Sequence, residues 1–463
     1  MAQSSLLKRF RSEDLTFWSL LAFLAIVALT GGSSRATSWG HVVTLVGATV
    51  AAAGWLAFAR PSADRRIRLG FAFLGACAAL ICLQLVPLPP SLWRSLPGHE
   101  AYVAAAAATD TLQVWRPMSL VPDLTWSALF TLTIPAALLI GLSRLSTRRR
   151  TKLMLPLAVL IFVSGVLGLA QVTGGPGSPL RWYGGNPDPS AVGFLANRNH
   201  QALLLACALP ILAALASVPE TRVNRRAAMR WGTLGVAAFI VLMLPSTGSR
   251  AGLVLGGLAI LLATAIAAPV LKQRLLGMRR RSRHRFIAGV AVAFAAFVAV
   301  FVFMGRNVAF SRIASLDPMT DQRVRAFPVV SDMTGTFFPW GTGVGAFEPV
   351  FRHFEPFALL KLTFFNQAHN DIVQLVLEGG APAALLLIVF LLWWGMATFR
   401  AWRAAPSPQT MAARAGSAVI LLCLAASIVD YPLRTSLMLT IFCVAAVWML
   451  TPVSERGGAE VID

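Results

Sequence analysis

The sequence predicts an all-α integral membrane protein of about twelve transmembrane helices, with a long outer-face loop between spans nine and ten. Three observations carry that expectation. Of 463 residues, 57% are hydrophobic and only 13% charged, about half the charged share of an ordinary soluble domain. Apolar runs of about twenty residues, long enough to cross a bilayer as a helix, recur along the chain. The 40 Lys and Arg residues, against 19 Asp and Glu, gather in every second connection between those runs.

The runs lie near 15–31, 41–59, 69–88, 123–143, 153–171, 200–218, 231–246, 250–270, 286–305, 371–398, 415–431 and 435–451. The first follows Lys8, Arg9 and Arg11 in the manner of a signal peptide. It is longer than most signal cores and eleven further runs follow, so it reads as a retained span. The connections at 1–14, 60–68, 144–152, 219–230, 271–285 and 399–414, with the C-terminus, hold 27 of the 40 basic residues. Positive charge stays inside, so both termini are expected in the cytoplasm. The division is then a cytoplasmic N-terminus at 1–14, spans one to nine within 15–305, a large periplasmic loop at 306–370, spans ten to twelve within 371–451, and a cytoplasmic tail at 452–463. Loops as long as 306–370 are usually functional or disordered. Trp340, Phe347, Phe351 and Phe354 favour a folded cap.

A net charge of +21 often signals nucleic acid, but here the basic residues follow the membrane-orientation pattern, and no nucleic-acid partner is expected. Only 271–285, from Lys272 to Arg285, is a dense basic cluster, suited to anionic lipid headgroups. Cys77, Cys82, Cys207, Cys423 and Cys443 all fall inside apolar runs and read as small core residues, without metal spacing or a disulfide framework. No internal repeat marks the two halves typical of many transporters.

Three polar clusters open three helices on the expected outer face. Asn197, Arg198, Asn199 and His200 precede the sixth run, Ser246 to Arg250 the eighth, and His369, Asn370 and Asp371 the tenth. A helix N-terminus offers unpaired N–H groups and partial positive charge, a ready anion site. Arg198 and Arg250 add a planar fork that matches phosphate oxygens. Ordinary roles compete: Asn199 and Ser249 as caps, the arginines as snorkelling residues. Three such clusters on one side favour a site for a phosphorylated, membrane-embedded ligand. A neutral His369 there would accept a proton from a hydroxyl nucleophile, with Asp371 beside it favouring the charged ring. Glu378 and Asp430 lie near or within spans, where a carboxylate needs a partner; both should face the protein interior, Asp430 with Arg434 as its nearest local partner. The Gly341–Gly345 stretch lacks the strand and helix of a nucleotide loop and reads as a flexible turn. No acidic pair demands a metal, although Asp317, Asp321 and Asp332 are left as a weak possibility.

At these clusters the sequence resembles the bacterial O-antigen ligase family, which includes polysaccharide polymerases and protein-glycosylating enzymes. The likeness rests on Ala196–Gln201, Ser246–Gly252, Gly343–Phe347 and Ala368–Asp371, followed by Gln374, Leu375 and Glu378–Gly380, with Asp430–Arg434 as the late acidic element. It spans roughly residues 190 to 435. The resemblance implies a C-type glycosyltransferase-like fold in the bacterial inner membrane. It also implies transfer of an undecaprenyl-diphosphate-linked glycan to an acceptor hydroxyl at the periplasmic face, inverting, without metal or other cofactor. The acceptor would be lipid A–core for a ligase or a growing glycan for a polymerase; a protein O-oligosaccharyltransferase and a lipid-linked glycan flippase are the alternatives. Carried over by motif, Arg198 and Arg250 would bind the diphosphate and His369 would be the base, supported by Asn197, Asn199, His200, Ser249, Asn370, Asp371, Glu378, Asp430 and Arg434.

Overall fold

The computed structural model describes residues 2–35, 38–59, 66–183, 190–218, 223–277, 322–360 and 365–450, with a few single positions between 280 and 288. The described residues are mainly helical, with almost no strand. Five helices come first: α1 (Ala2–Thr30), α2 (Trp39–Phe58), α3 (Ile67–Leu85), and then two short ones, α4 (Pro90–Arg94) and α5 (Glu100–Ala108). Next come α6 (Pro122–Thr131), α7 (Thr133–Ser143), α8 (Thr147–Lys152), α9 (Met154–Thr173), α10 (Arg198–Ser217), α11 (Val223–Met243) and α12 (Arg250–Gly277). The last third holds α13 (Gln322–Phe337), α14 (Phe347–Phe354), α15 (Asp371–Arg403), α16 (Pro408–Ser427) and α17 (Ser436–Leu450).

Among the described residues ten stretches are helical, long and apolar enough to cross a membrane, and the shorter α17 is apolar as well. Together they match eleven of the twelve expected runs. The ninth run, 286–305, falls almost wholly outside the described residues, as do 306–321 of the long loop and the tail 452–463. One expected span is broken: 123–143 forms α6 and α7, which meet at Leu132. Pro135 has no N–H to give the carbonyl of Thr131, so the helix restarts there.

Two helices sit at the centre. In α10 and α16, 83% of the apolar window is buried, against 17% in α3, so α3 presents most of its surface to lipid while α10 and α16 present it to protein. α10 packs against α9, α11, α12 and α16, and α16 against α17. Leu203, Leu204, Val419, Ile420 and Trp448 lie in this core. Four of the five cysteines are buried or half-buried, but Cys82 faces outward from α3, a correction to its reading as a core residue.

On one end of the bundle, α13 and α14 form a cap with its own small core of Val330, Met333, Phe337, Phe347, Phe351 and Leu377. Trp340 stays half exposed outside it. The segment from Pro87 to Pro117 closes on itself through a two-residue antiparallel pairing, β1 (Pro87–Leu88) with β2 (Arg116–Pro117).

The Gly341–Gly345 stretch is no flexible turn. α15 is interrupted at Gly380, whose φ of 62° and ψ of −155° are non-helical; a Cβ there would lie 2.0 Å from the carbonyl oxygen of Pro339. The interruption frees the carbonyls of Leu377 and Glu378, which accept the N–H groups of Thr342 and Gly343 at 3.0 Å each. Ala381 N–H returns a bond to the carbonyl of Pro339 at 2.8 Å. Gly341, Gly343 and Gly345 all have positive φ, which other residues adopt only under strain. The loop is thereby locked to the start of α15.

Candidate active site

The three polar clusters do open three helices. Asn197 caps α10, its side chain accepting the N–H of Asn199 at 2.8 Å. Ser249 caps α12, its Oγ accepting the N–H of Gly252 at 2.9 Å. Asn370 caps α15 through the N–H groups of Ile372 and Val373, both at 3.1 Å. Each cap satisfies a donor that the first turn would otherwise leave unpaired.

These ends are joined by side chains. Ser249 Oγ donates to Asn199 Oδ1 at 2.7 Å, and Asn199 Nδ2 donates to Asp430 Oδ2 at 2.6 Å. The amide can stand only one way round, because an ionised carboxylate accepts and does not donate. Asp430 Oδ1 faces His369 Nδ1 at 3.2 Å and accepts the N–H of its neighbour Tyr431 at 3.0 Å. One string of bonds therefore runs from the N-terminus of α12 through α10 to Asp430, in the turn between α16 and α17, and on to His369 before α15.

His369 has a φ of 55°, uncommon for a residue with a side chain. Its ring is mostly buried and lies 4.8 Å from that of Tyr431. Burial keeps its pKa below the ordinary imidazole value, helped by Arg323 and opposed by the hydrogen bond to Asp430. Burial works against ionised Asp430, but His200, His369 and Arg323 outweigh it and hold this carboxyl well below the usual carboxylate range. An ionised Asp430 makes His369 Nδ1 the protonated nitrogen, which leaves the Nε2 lone pair free to accept a proton. His200, buried in α10, stands edge-on to Tyr431 at 5.1 Å, with Nε2 3.7 Å from Asp430. Arg323 from the cap approaches the same carboxylate at 3.8 Å.

Two expected pairings are corrected. Asp430 is 2% exposed, but it does not pair with Arg434, and Asp371 is not the carboxylate on the His369 ring. Asp371 and Glu378 are seven residues apart, two turns along one face of α15, and Arg434 bridges both. Its Nε donates to Asp371 at 2.9 Å and its Nη2 to Glu378 at 3.2 Å. The reason lies in the turn Pro432–Arg434: Pro432 cannot continue a helix from Asp430, so residues four apart there point to different places. Glu378 also accepts from Gln374 at 3.0 Å and from the N–H of Phe347 at 3.2 Å.

Arg198 and Arg250 are the first residues of α10 and α12. Arg198 is half-buried and Arg250 exposed. Their neighbours Asn199 and Ser249 share a hydrogen bond, so the two helix N-termini open side by side, each with a guanidinium. Sequence reasoning missed Gln84, Tyr431 and Arg323. Fully buried in α3, Gln84 donates to the carbonyl of Glu378 and accepts the N–H of Val344, both at 2.9 Å. The available signal was an amide inside an apolar run, which must find partners. Asp317 and Asp321 lie outside the described residues and Asp332 is exposed; among the described residues no group of three His, Cys, Asp or Glu is placed to hold a metal ion.

Fold and site together define an all-helical, multi-pass membrane protein with a polar centre built from helix N-termini. Residues 235–388, a third of the chain, match the family model described as O-Antigen ligase, a likeness that supports membership of that family and glycosyl transfer in polysaccharide biosynthesis. The matched stretch includes Ser249, Arg250, His369–Asp371 and Glu378. Asn197–His200 and Asp430–Arg434 lie outside it and are joined to it by the fold. A comparison with curated proteins returned no match.

Proposed function

We propose that the protein transfers a glycan from undecaprenyl diphosphate to an acceptor hydroxyl at the periplasmic face of the bacterial inner membrane. The observation that carries this is the string of bonds ending at His369: a histidine with a free Nε2, held by Asp430, beside two helix N-termini that begin with arginine.

In the proposed step the acceptor hydroxyl loses its proton to His369 Nε2 as its oxygen bonds to the anomeric carbon. The bond from that carbon to the phosphate oxygen breaks, and undecaprenyl diphosphate leaves with the electron pair. Arg198, Arg250 and the N–H groups at the starts of α10 and α12 stabilise the charge that grows on the diphosphate. Fixed charges aimed at a developing anion are usually the largest catalytic contribution. Attack opposite the leaving group inverts the anomeric centre. Asp430 fixes the ring's tautomer and steadies the imidazolium that forms. Arg434, Asp371 and Glu378 hold the start of α15 and the Gly341–Gly345 loop in place.

The test supplies purified protein in detergent with lipid-linked glycan and either lipid A–core or a second lipid-linked unit. Glycan on lipid A–core identifies a ligase and a lengthened lipid-linked glycan a polymerase. No transfer to either acceptor, nor to protein, contradicts the reading and favours a flippase, whose transport cannot register in detergent. The face is tested in intact cells with an impermeant thiol reagent: Asp332→Cys should react and Lys272→Cys should be shielded.

A further inference from the structure

The other end of α10 carries a second feature. The helix α10 is 20 residues long, about 30 Å at 1.5 Å per residue, so this end lies a hydrocarbon thickness away from His369. There a cleft of about 730 Å³ opens between α1, α8, α9, α11 and the end of α10. The volume falls within the range of small-molecule sites, about 300–1,000 Å³. Arg148, Lys152, Arg225, Arg226 and Arg230 line it, and no acidic residue does. Asp14, on α1 at this end, is engaged by Arg149.

Basic residues on one membrane face are the general rule. Their convergence from two separate chain segments onto one cleft is not. Apart from Thr151 the remaining walls are apolar, with Trp18, Leu21, Leu155, Val159 and Leu215 among them. Trp18, Leu155 and Val159 are also exposed on the outside of the bundle, so the cleft opens sideways toward lipid chains. A free phosphate would have no use for that apolar wall.

We propose that this cleft binds an anionic phospholipid, with the phosphate among the five basic side chains and an acyl chain along Trp18, Leu155 and Val159. Charge and shape both match: a basic rim for the headgroup, an apolar trough for the tail, open to the phase that supplies both. The site needs neither the glycan donor nor His369, so it stands or falls separately from the transfer reaction.

Native mass spectrometry of the full chain in detergent, titrated with phosphatidylglycerol or phosphatidylcholine, tests it. The protein should retain phosphatidylglycerol at least about tenfold better. Each basic residue near an anionic headgroup is worth about fivefold in affinity, so the triple variant Arg225→Gln, Arg226→Gln, Arg230→Gln should lose at least about tenfold. Leu155→Trp, which narrows the trough without changing charge, should also weaken retention, and millimolar inorganic phosphate should not displace the lipid. Equal retention of the two lipids overturns the proposal. So does unchanged retention in the triple variant or in Leu155→Trp, and displacement by inorganic phosphate would mark a free-anion site instead. Should the triple variant fail to fold, the lipid preference of the unaltered chain and the Leu155→Trp result still decide.

Discussion

Arg434 and His369 each face acidic side chains near the start of α15, Asp371 and Glu378 for the one and Asp430 for the other, but the two networks differ in kind. Arg434 is clamped between Asp371 and Glu378, and Glu378 in turn takes bonds from Gln374 and Phe347. Opposite charges meet at short range. Asp430 instead meets two histidines, an asparagine and a more distant arginine. Its main partner, His369, presents a second nitrogen to accept a proton. The first network is built to hold a shape, the second to move a proton. Carboxylates within one short stretch of structure thus divide between scaffold and chemistry according to what faces them.

Arg434→Ala should have the largest effect on stability. It leaves two carboxylates, one of them fully buried, without their cation, and breaking a buried pair costs about 3–5 kcal/mol. The thermal midpoint in detergent should fall sharply, and activity with it. A variant that kept the wild-type midpoint would remove the distinction between the networks.

Asp430→Asn should do the reverse. The fold should be kept, with a smaller drop in midpoint than in Arg434→Ala, while turnover falls by on the order of a hundredfold or more, because a neutral amide no longer holds Nδ1 as the protonated nitrogen or steadies the imidazolium. The acid limb of the pH profile should also shift. Protonation of His369 removes the base, so wild-type turnover falls as pH drops through the histidine's pKa, which burial holds below the ordinary imidazole value. Asp430 opposes that lowering, so its loss should move the limb to still lower pH. A limb moving upward would contradict the pairing.

Arg198→Ala and Arg250→Ala should each weaken donor binding by about ten- to a hundredfold, the worth of one charge-assisted hydrogen bond, with Lys rescuing only in part. Arg250→Ala should leave the midpoint unchanged, since Arg250 is exposed. Wild-type donor affinity and turnover in both Ala variants would leave the arginines as snorkelling residues.

The helices are legible in the chain because a bilayer imposes length and apolarity on every span, and local signals place their starts: Asn197, Ser249 and Asn370 all sit where caps are expected. The partnerships are less legible. Asn199 and Asp430 are far apart in sequence, and nothing local announces their bond. The pairing of Asp430 with Arg434 looks natural from a separation of four, a rule that holds only inside a helix, and Pro432 cancels it. Gln84 sits in an apolar run with no motif around it, and its role appears only when α15 breaks at Gly380 and exposes a carbonyl beside it. Glycines that look like a flexible turn from composition are rigid for the same reason, since their partners come from a helix interrupted more than thirty residues later.

His369 is where the account is most directly at risk. Donor affinity and turnover should be measured on the same preparation of His369→Ala, with the pH dependence of the unaltered protein alongside. Removing a general base lowers the rate by about a hundred- to ten-thousand-fold, while the arginines and helix N-termini go on holding the diphosphate. The account therefore predicts unchanged donor affinity, an unchanged thermal midpoint and turnover reduced by at least a hundredfold. Near-normal turnover at saturating donor would contradict it, and so would a loss of donor affinity large enough to explain the whole defect.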